Sequence, residues 1–314
     1  MMAADALCIG SHCRLTVDDF AFSMRMARGT SGSRYLSTAL VFAVWIGLSG
    51  CGSKADTRRE ESARNVVAGN AERGLALLNA FRDSLPTHSG NALRCTSCHL
   101  DNGTRESALP WLGTLARYPQ YRARPGLSES IEQRINECIA RSLAGQMIAE
   151  DGQDMRDMVA YMATLRHRSR PADHVPVTRD GRAAEGQRGY AGQCARCHGA
   201  NGEGVVAVAP AVWGADSYSV GAGMARQFTL ATFLRHNMPY DRSDTLTDQE
   251  AADIAAFVLT QPRQDHPGKE RDWPKGDAPA DVAYPTSAAE ATGRPVPATR
   301  PLLPRRVEPR ASTR

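Results

Sequence analysis

The pentapeptide Cys95-Thr96-Ser97-Cys98-His99 recurs as Cys194-Ala195-Arg196-Cys197-His198. No other feature limits more strongly what this chain can fold into. Two thiols two residues apart, followed at once by a histidine, form the C-x-x-C-H signature of covalent haem attachment. The thiols add across the haem vinyl groups as thioethers, and the adjacent imidazole is held where it can bind the iron. The competing reading of a C-x-x-C pair is half of a zinc site. That reading needs a second C-x-x-C or an H-x-x-x-H to complete each tetrad, and neither pentapeptide has one. The expected cofactors are therefore two covalent haem c groups, one on Cys95, Cys98 and His99, the other on Cys194, Cys197 and His198.

Such haem is attached after export, and the N-terminus fits export. The apolar run Ala39 to Leu48 is preceded by Arg25, Arg28 and Arg34. It is too short to span a bilayer, which needs about 20 residues, and suits a signal-peptide core. Leu48-Ser49-Gly50-Cys51 follows directly and resembles the lipobox of bacterial lipoproteins. That resemblance implies a periplasmic protein with lipid on Cys51, and Gly52 in second place implies sorting to the outer membrane. The bland alternative is an ordinary cleaved signal with an incidental cysteine. The stretch before Met24 is long for a leader, so Met24 or Met26 is the expected start, which leaves Cys8 and Cys13 without a role. The formal net charge of +4 gives no case for nucleic acid and mildly favours an anionic substrate or partner. Only 6% of the chain is aromatic, and two buried porphyrins would supply missing apolar bulk.

The mature part divides into two similar halves. Asn70 to Leu85 has helical apolar spacing at Leu75, Leu78 and Phe81. After the first motif comes a Pro- and Arg-rich loop, Leu109 to Gly126. A helix is expected from Ser128 with Ile131, Ile135, Cys138 and Ile139 on its apolar side, and another from Asp151 to Leu165. The pattern restarts at Ala183 to Gln193, before the second motif. It closes at Thr247 to Gln261, opened by the capping box Thr247-Asp248-Gln249-Glu250. Gln153-Asp154 aligns with Gln249-Glu250, and Ala160-Tyr161-Met162 with Ala256-Phe257-Val258, which is an internal repeat. Both halves resemble the class I cytochrome c fold. The expectation is an all-α protein of two tandem class I cytochrome c domains, each with one covalent haem c. Its parts are a leader and signal (1–51), an N-terminal cytochrome domain (65–170), a linker (171–180), a C-terminal cytochrome domain (181–262) and a tail (263–314). The segment 262–314 holds ten of the eighteen prolines. Trp273 and Tyr284 give the part up to about Thr286 something to pack with, and the last thirty or so residues read as disordered.

Each iron needs a second ligand, usually Met or His. In the second half Met238 lies in His236-Asn237-Met238-Pro239, forty positions after His198, and Pro239 keeps its backbone out of a helix. Met224 and His236 are its rivals. In the first half the corresponding offset from His99 lands on Cys138. A free cysteine is most often a small buried hydrophobe. Cys138, however, is the odd thiol of an exported chain, and it shares a helix face with Arg134 and Ser142 at i, i+4 spacing. A nearby guanidinium can hold a thiolate ionised or bind an anion.

The segments Tyr118-Pro-Gln-Tyr-Arg-Ala-Arg124-Pro-Gly, Ile131-Glu-Gln-Arg134-Ile-Asn-Glu-Cys138-Ile-Ala-Arg-Ser142-Leu, Phe233-Leu-Arg-His-Asn-Met238-Pro and Trp273-Pro-Lys-Gly resemble dihaem thiosulfate dehydrogenases, the tetrathionate-forming family. The resemblance implies a catalytic first haem with His99 and Cys138 as ligands, a substrate pocket of Arg124, Arg134 and Ser142, and a second haem between His198 and Met238. Some members carry a ligating Lys before that Met, where this chain has Asn237. The implied reaction couples two thiosulfates to tetrathionate, or runs in reverse, with a soluble cytochrome or similar acceptor taking the electrons. Two other readings stay open. One is an electron-transfer dihaem cytochrome without a substrate. The other is a haem–thiolate subunit of a sulfur-oxidising complex.

Overall fold

In the computed structural model the described residues are 69–165, 175–293 and 301–306. The expected signal and Cys51 lie outside them, as do linker residues up to 174 and the tail segments 294–300 and 307–314. The chain is essentially all-α. Among the described residues the longer helices are α1 (Ala71–Asn79), α2 (Ile131–Arg141), α3 (Gln153–Thr164), α4 (Ala183–Gln193), α5 (Gln227–Asn237) and α6 (Asp248–Thr260). None is long and apolar enough to cross a membrane.

Local chemistry sets where these helices begin. The Asn70 side chain caps α1 by accepting from the Arg73 N–H. Reciprocal capping boxes open α2, between Ser130 and Gln133, and α6, between Thr247 and Glu250. Each half then closes by crossing its first helix over its last, α1 on α3 and α4 on α6. Both crossings turn on a glycine. A Cβ on Gly74 would fall 1.9 Å from the Asp157 carbonyl oxygen, and one on Gly186 would fall 1.8 Å from that of Asp253. The side chains of these two aspartates are buried and engaged alike. Asp157 accepts from the Asn70 N–H (2.7 Å) and Gln153 Nε2 (2.6 Å), and also pairs with Arg73. Asp253 accepts from the Arg182 N–H (2.8 Å), Gln249 Nε2 (2.8 Å) and Arg182 Nη2 (2.7 Å). Leu77, Leu78, Phe81, Met155 and Met158 pack the first half, and Tyr190, Ile254, Val258 and Leu259 the second.

The structure departs from the sequence expectation in three places. Helix α2 starts at Ile131 rather than Ser128, because Ser130 has the capping partner, while Ser128 pairs with Tyr121 in a hairpin. That hairpin, β1 (Gln120–Arg122) against β2 (Leu127–Glu129), lies where a loop runs into a helix in the sequence reading. The tail is the third difference. Within its last thirty residues Ser287–Ala291 form a helical turn, and β4 (Leu302–Leu303) pairs in parallel with β3 (Arg263–Gln264). A two-residue strand asks little of a proline-rich segment. Its partner is held firmly, since the buried Gln264 side chain donates to the carbonyls of Gly90 (2.8 Å) and Ala215 (2.7 Å) and accepts from the Arg306 N–H (2.9 Å).

The glycine crossings give a paired test. Gly186→Ala forces the α4 and α6 backbones apart and should destabilise by about 3 kcal/mol, lowering Tm by roughly 6–12 °C. Gly192 lies on the same helix with nothing within 4 Å of an added Cβ. Gly192→Ala should leave Tm unchanged or raise it slightly. Thermal melts followed by circular dichroism would separate the two. Equal melting of both variants would show that the crossing tolerates a methyl group.

Candidate functional site

The two motifs are built alike. In each, the imidazole is fixed by a main-chain carbonyl. His99 Nδ1 pairs with the Leu109 oxygen, and His198 Nδ1 with the Pro210 oxygen at 2.8 Å. Burial pushes the His99 pKa down to about 4 and lowers that of His198. Both rings are thus neutral, with Nδ1–H donated, so Nε2 keeps its lone pair for a metal. The motif cysteines are unpaired thiols. Burial, and then the neighbouring Cys138, pushes Cys95 and Cys98 up to about 12. Burial, and then Cys197, pushes Cys194 up to about 11. Free thiols beside a neutral, oriented imidazole are the donor set that a c-type haem requires.

Each half has a buried tryptophan. Trp111 stacks on His99 with ring centres 4.7 Å apart, and Trp213 packs on Tyr190 at 4.8 Å. Each indole lies over a glycine with positive φ. A Cβ on Gly103 would meet Trp111 at 2.0 Å, and one on Gly202 would meet Trp213 at 2.2 Å. These tryptophans and glycines were not singled out from the sequence. The signal existed, since Gly103 and Gly202 each follow their motif histidine by four positions.

Helix α2 brings Cys138 and Arg134 to the first motif. Cys138 raises the pKa values of Cys95 and Cys98, and Arg134 is among the groups that lower that of His99. The Arg134 guanidinium is raised first by Cys138 and, against burial, by Glu137, Tyr118 and Glu129. Arg134 Nη1 donates to Glu137 Oε2 at 3.0 Å. Ser142 ends the same helix, its N–H donating to the Cys138 carbonyl at 2.7 Å.

Arg124 reaches this region from the turn of the β1–β2 hairpin. Its Nη1 donates to the Gly221 carbonyl at 2.5 Å, and its guanidinium lies 4.7 Å over the Trp273 ring. No carboxylate ion pair holds it among the described residues, and burial lowers its pKa. The tail segment that carries Trp273 also braces α2. Asp272 accepts from Arg141 Nη1 (2.8 Å) and Nη2 (2.7 Å) and from the Tyr284 hydroxyl (2.5 Å).

In the second half Met238 caps the C-terminus of α5 in extended conformation and packs against the core. It is not in the same local setting as Cys138, which lies inside a helix. A thiol on a one-carbon stem has to be carried to its target by the helix itself, whereas a thioether reaches out from a cap. Of the rivals, Met224 is buried in the core cluster, and His236 Nδ1 is engaged by Asp244 at 2.9 Å. Beside Met238, the fully buried Asn237 spans the halves. Its Nδ2 donates to the Ser107 carbonyl (2.9 Å), and its Oδ1 accepts from Ser107 Oγ (2.8 Å).

Comparisons with known proteins agree with this architecture. Residues 86–170 match the family described as "SoxA/TsdA, cytochrome c domain", and residues 181–258 match "Cytochrome C oxidase, cbb3-type, subunit III". A thiosulfate dehydrogenase of Psychrobacter arcticus is 41% identical over 224 residues, covering 67% of this chain and 68% of that protein. One of Allochromatium vinosum is 40% identical, covering 61% of this chain and 77% of that protein. Among solved structures, a thiosulfate dehydrogenase (TsdBA) of Marichromatium purpuratum superposes with a TM-score of 0.59 at 30% identity over 66% of this chain. This chain spans about half the length of that protein, 48%.

The brace on α2 can be tested apart from any chemistry. Asp272→Ala strands Arg141, whose side chain is 12% exposed. It should lower unfolding free energy by about 3 kcal/mol in denaturant titrations, with both haems still attached on a denaturing haem-stained gel. Undiminished stability would mean that Glu137 alone suffices to hold Arg141.

Proposed function

This chain belongs to the thiosulfate dehydrogenase family, a family of dihaem cytochromes c, and on that premise we propose that it oxidises two thiosulfates to tetrathionate at the Cys138 side of its first haem. It is an oxidoreductase with two covalent haem c groups. Cys95, Cys98, His99 and Cys138 would hold the first, and Cys194, Cys197, His198 and Met238 the second. The cytochrome domains are taken as 65–170 and 181–262, with 171–180 as linker. When bound, the two irons provide the one-electron acceptors that the reaction needs.

The observation that carries this reading is the company of Cys138. Its thiol lies by the first motif, next to Arg134, and the half-buried Arg124 feels Asp272 and Glu137 without a direct carboxylate ion pair among the described residues. An electron-transfer cytochrome without a substrate has no use for that arrangement. Thiosulfate is a dianion, and bringing two together requires fixed positive charge. Arg124 and Arg134 offer planar, two-pronged donors to sulfonate oxygens, and Ser142 adds a hydroxyl at the end of the same helix.

The chemistry then balances at Cys138. The Cys138 thiolate bonds to the terminal sulfur of one thiosulfate, giving a Cys–S–S–sulfonate and releasing two electrons. A second thiosulfate attacks the sulfur next to that sulfonate, forming tetrathionate and returning the Cys138 thiolate as leaving group. Arg124 and Arg134 hold the sulfonates while the sulfurs meet. The electrons leave through the second half to a soluble cytochrome or similar acceptor. Run backwards, the same groups reduce tetrathionate. The signal-like N-terminus and Cys51 support a periplasmic, outer-membrane-anchored location.

Two experiments test this. Cys138→Ala should keep both haems, because the thioethers form elsewhere, and should lose thiosulfate-dependent reduction of an artificial acceptor. Retention of more than about one-tenth of the wild-type rate is incompatible with a covalent role. At Arg124 and Arg134, Lys keeps the charge but not the fork. Each Lys variant should lose about ten- to a hundredfold in kcat/KM, and each Ala variant more, at low salt where screening is weak. Wild-type kinetics in both Ala variants would place the anion site elsewhere.

A further inference from the structure

Charged groups crowd the region around Cys138, and the acids differ in how well they are matched. Glu137 accepts from both Arg134 (3.0 Å) and Arg141 (3.1 Å). Asp272 is satisfied by Arg141 and Tyr284. Glu129, at the end of β2, differs. It is 4% exposed, and its Oε2 is buried without a hydrogen bond; its one ion pair among the described residues is to Arg122 Nε, at 4.0 Å. Nothing in the reaction proposed above uses it. A buried carboxylate with so little compensation calls for a reason.

We infer that Glu129 is a positioning residue of the anion pocket, whose carboxylate competes with thiosulfate for Arg134 and Arg122, so that the pocket takes up a proton together with its dianion. The inference rests on the assignment of Arg134 and Cys138 to that pocket. Glu129 is faced from β1 by Arg122, from the segment before it by Tyr118, and from α2 by Arg134, Glu137 and Arg141. Burial raises its pKa first and Glu137 second, against the three arginines. Tyr118 feels both Cys138 and Glu129, so the acid and the thiol share one neighbourhood.

The consequence has a definite sign. An incoming dianion draws the arginines away from Glu129 and repels its charge, which raises its pKa further. Thiosulfate therefore binds best where Glu129 is already protonated. Affinity falls as pH rises through and above the pKa of the free enzyme's Glu129, which burial and Glu137 raise from its ordinary value. Thiosulfate itself stays doubly charged throughout. A Glu129 that merely props the hairpin would contribute to stability but would leave the pH dependence of substrate affinity alone.

The test uses the holoenzyme with Glu129→Gln, which keeps shape and removes charge. In wild type KM for thiosulfate should rise as pH is taken upward through and beyond the carboxylate range. In Glu129→Gln that rise should flatten, and KM at the alkaline end should be about fivefold lower than wild type, with KM moving more than kcat. Arg134→Ala, run alongside, separates the two ideas. If Arg134→Ala raises KM but Glu129→Gln keeps the wild-type value and slope, the inference falls and the pocket assignment stands. If Arg134→Ala leaves KM unchanged, the pocket assignment falls and the inference with it. A second measurement needs no variant to fold. Wild-type enzyme held reduced binds thiosulfate without oxidising it, and calorimetric titration in two buffers of different ionisation enthalpy counts protons. Uptake of a fraction of one proton per thiosulfate is expected over the same range, and no uptake would overturn the proposal.

Discussion

Everything in this protein hangs on two places where helix backbones touch. Gly74 lets α1 lie on the Asp157 carbonyl, and Gly186 lets α4 lie on that of Asp253. No side chain can stand between them at these points, so the first and last helices of each half meet backbone to backbone. The buried aspartates lock the contact by taking the N–H groups at the start of the first helix, which would otherwise be orphaned. The C-x-x-C-H segments follow shortly after α1 and directly after α4, so the crossing determines where the thiols and the imidazole point. Trp111 stacks on His99, and in both motifs Nδ1 is given to a main-chain carbonyl, which leaves Nε2 for an iron.

Electrostatics divides the labour between the halves. In the first, α2 carries Arg134, Glu137, Cys138 and Arg141 past the motif, and the hairpin adds Arg122, Arg124 and Glu129. The acids nearly match the arginines, but not evenly. Arg124 is left on a carbonyl and an indole face, and Glu129 keeps one buried oxygen without a hydrogen bond. A region built only for stability would pair them. An excess of directed positive charge around one thiol suits a site that receives dianions. In the second half Met238 packs against the apolar core.

The tail shows how a remote segment can govern such a site. Trp273 lies on Arg124, Asp272 holds Arg141, and Tyr284 holds Asp272. The segment after the last helix thereby fixes two of the arginines around Cys138. Gln264 and Arg306 tie the same tail to both halves through main-chain groups. Its prolines make it poor in regular structure without making it loose, because side chains supply what a sheet or helix would have supplied.

Much of this was legible in the sequence. The haem motifs, the alignment of Gln153-Asp154 with Gln249-Glu250, the Thr247 capping box and the α4 boundaries all follow from local rules, since capping and helical periodicity depend on residues a few positions apart. The hairpin before α2 and the order in the tail were not legible, because their stability comes from partners far along the chain. The same divide runs through the site. Sequence alone determined which residues could bind haem and which thiol was left over, because spacing within a motif is a local constraint. Only tertiary structure decided that Cys138 and Arg134 stand by the first motif, that Trp273 covers Arg124, and that Glu129 is buried with one oxygen lacking a hydrogen bond. Those depend on which elements pack together, and burial, which sets the strength of every charge in the site, exists only once they do.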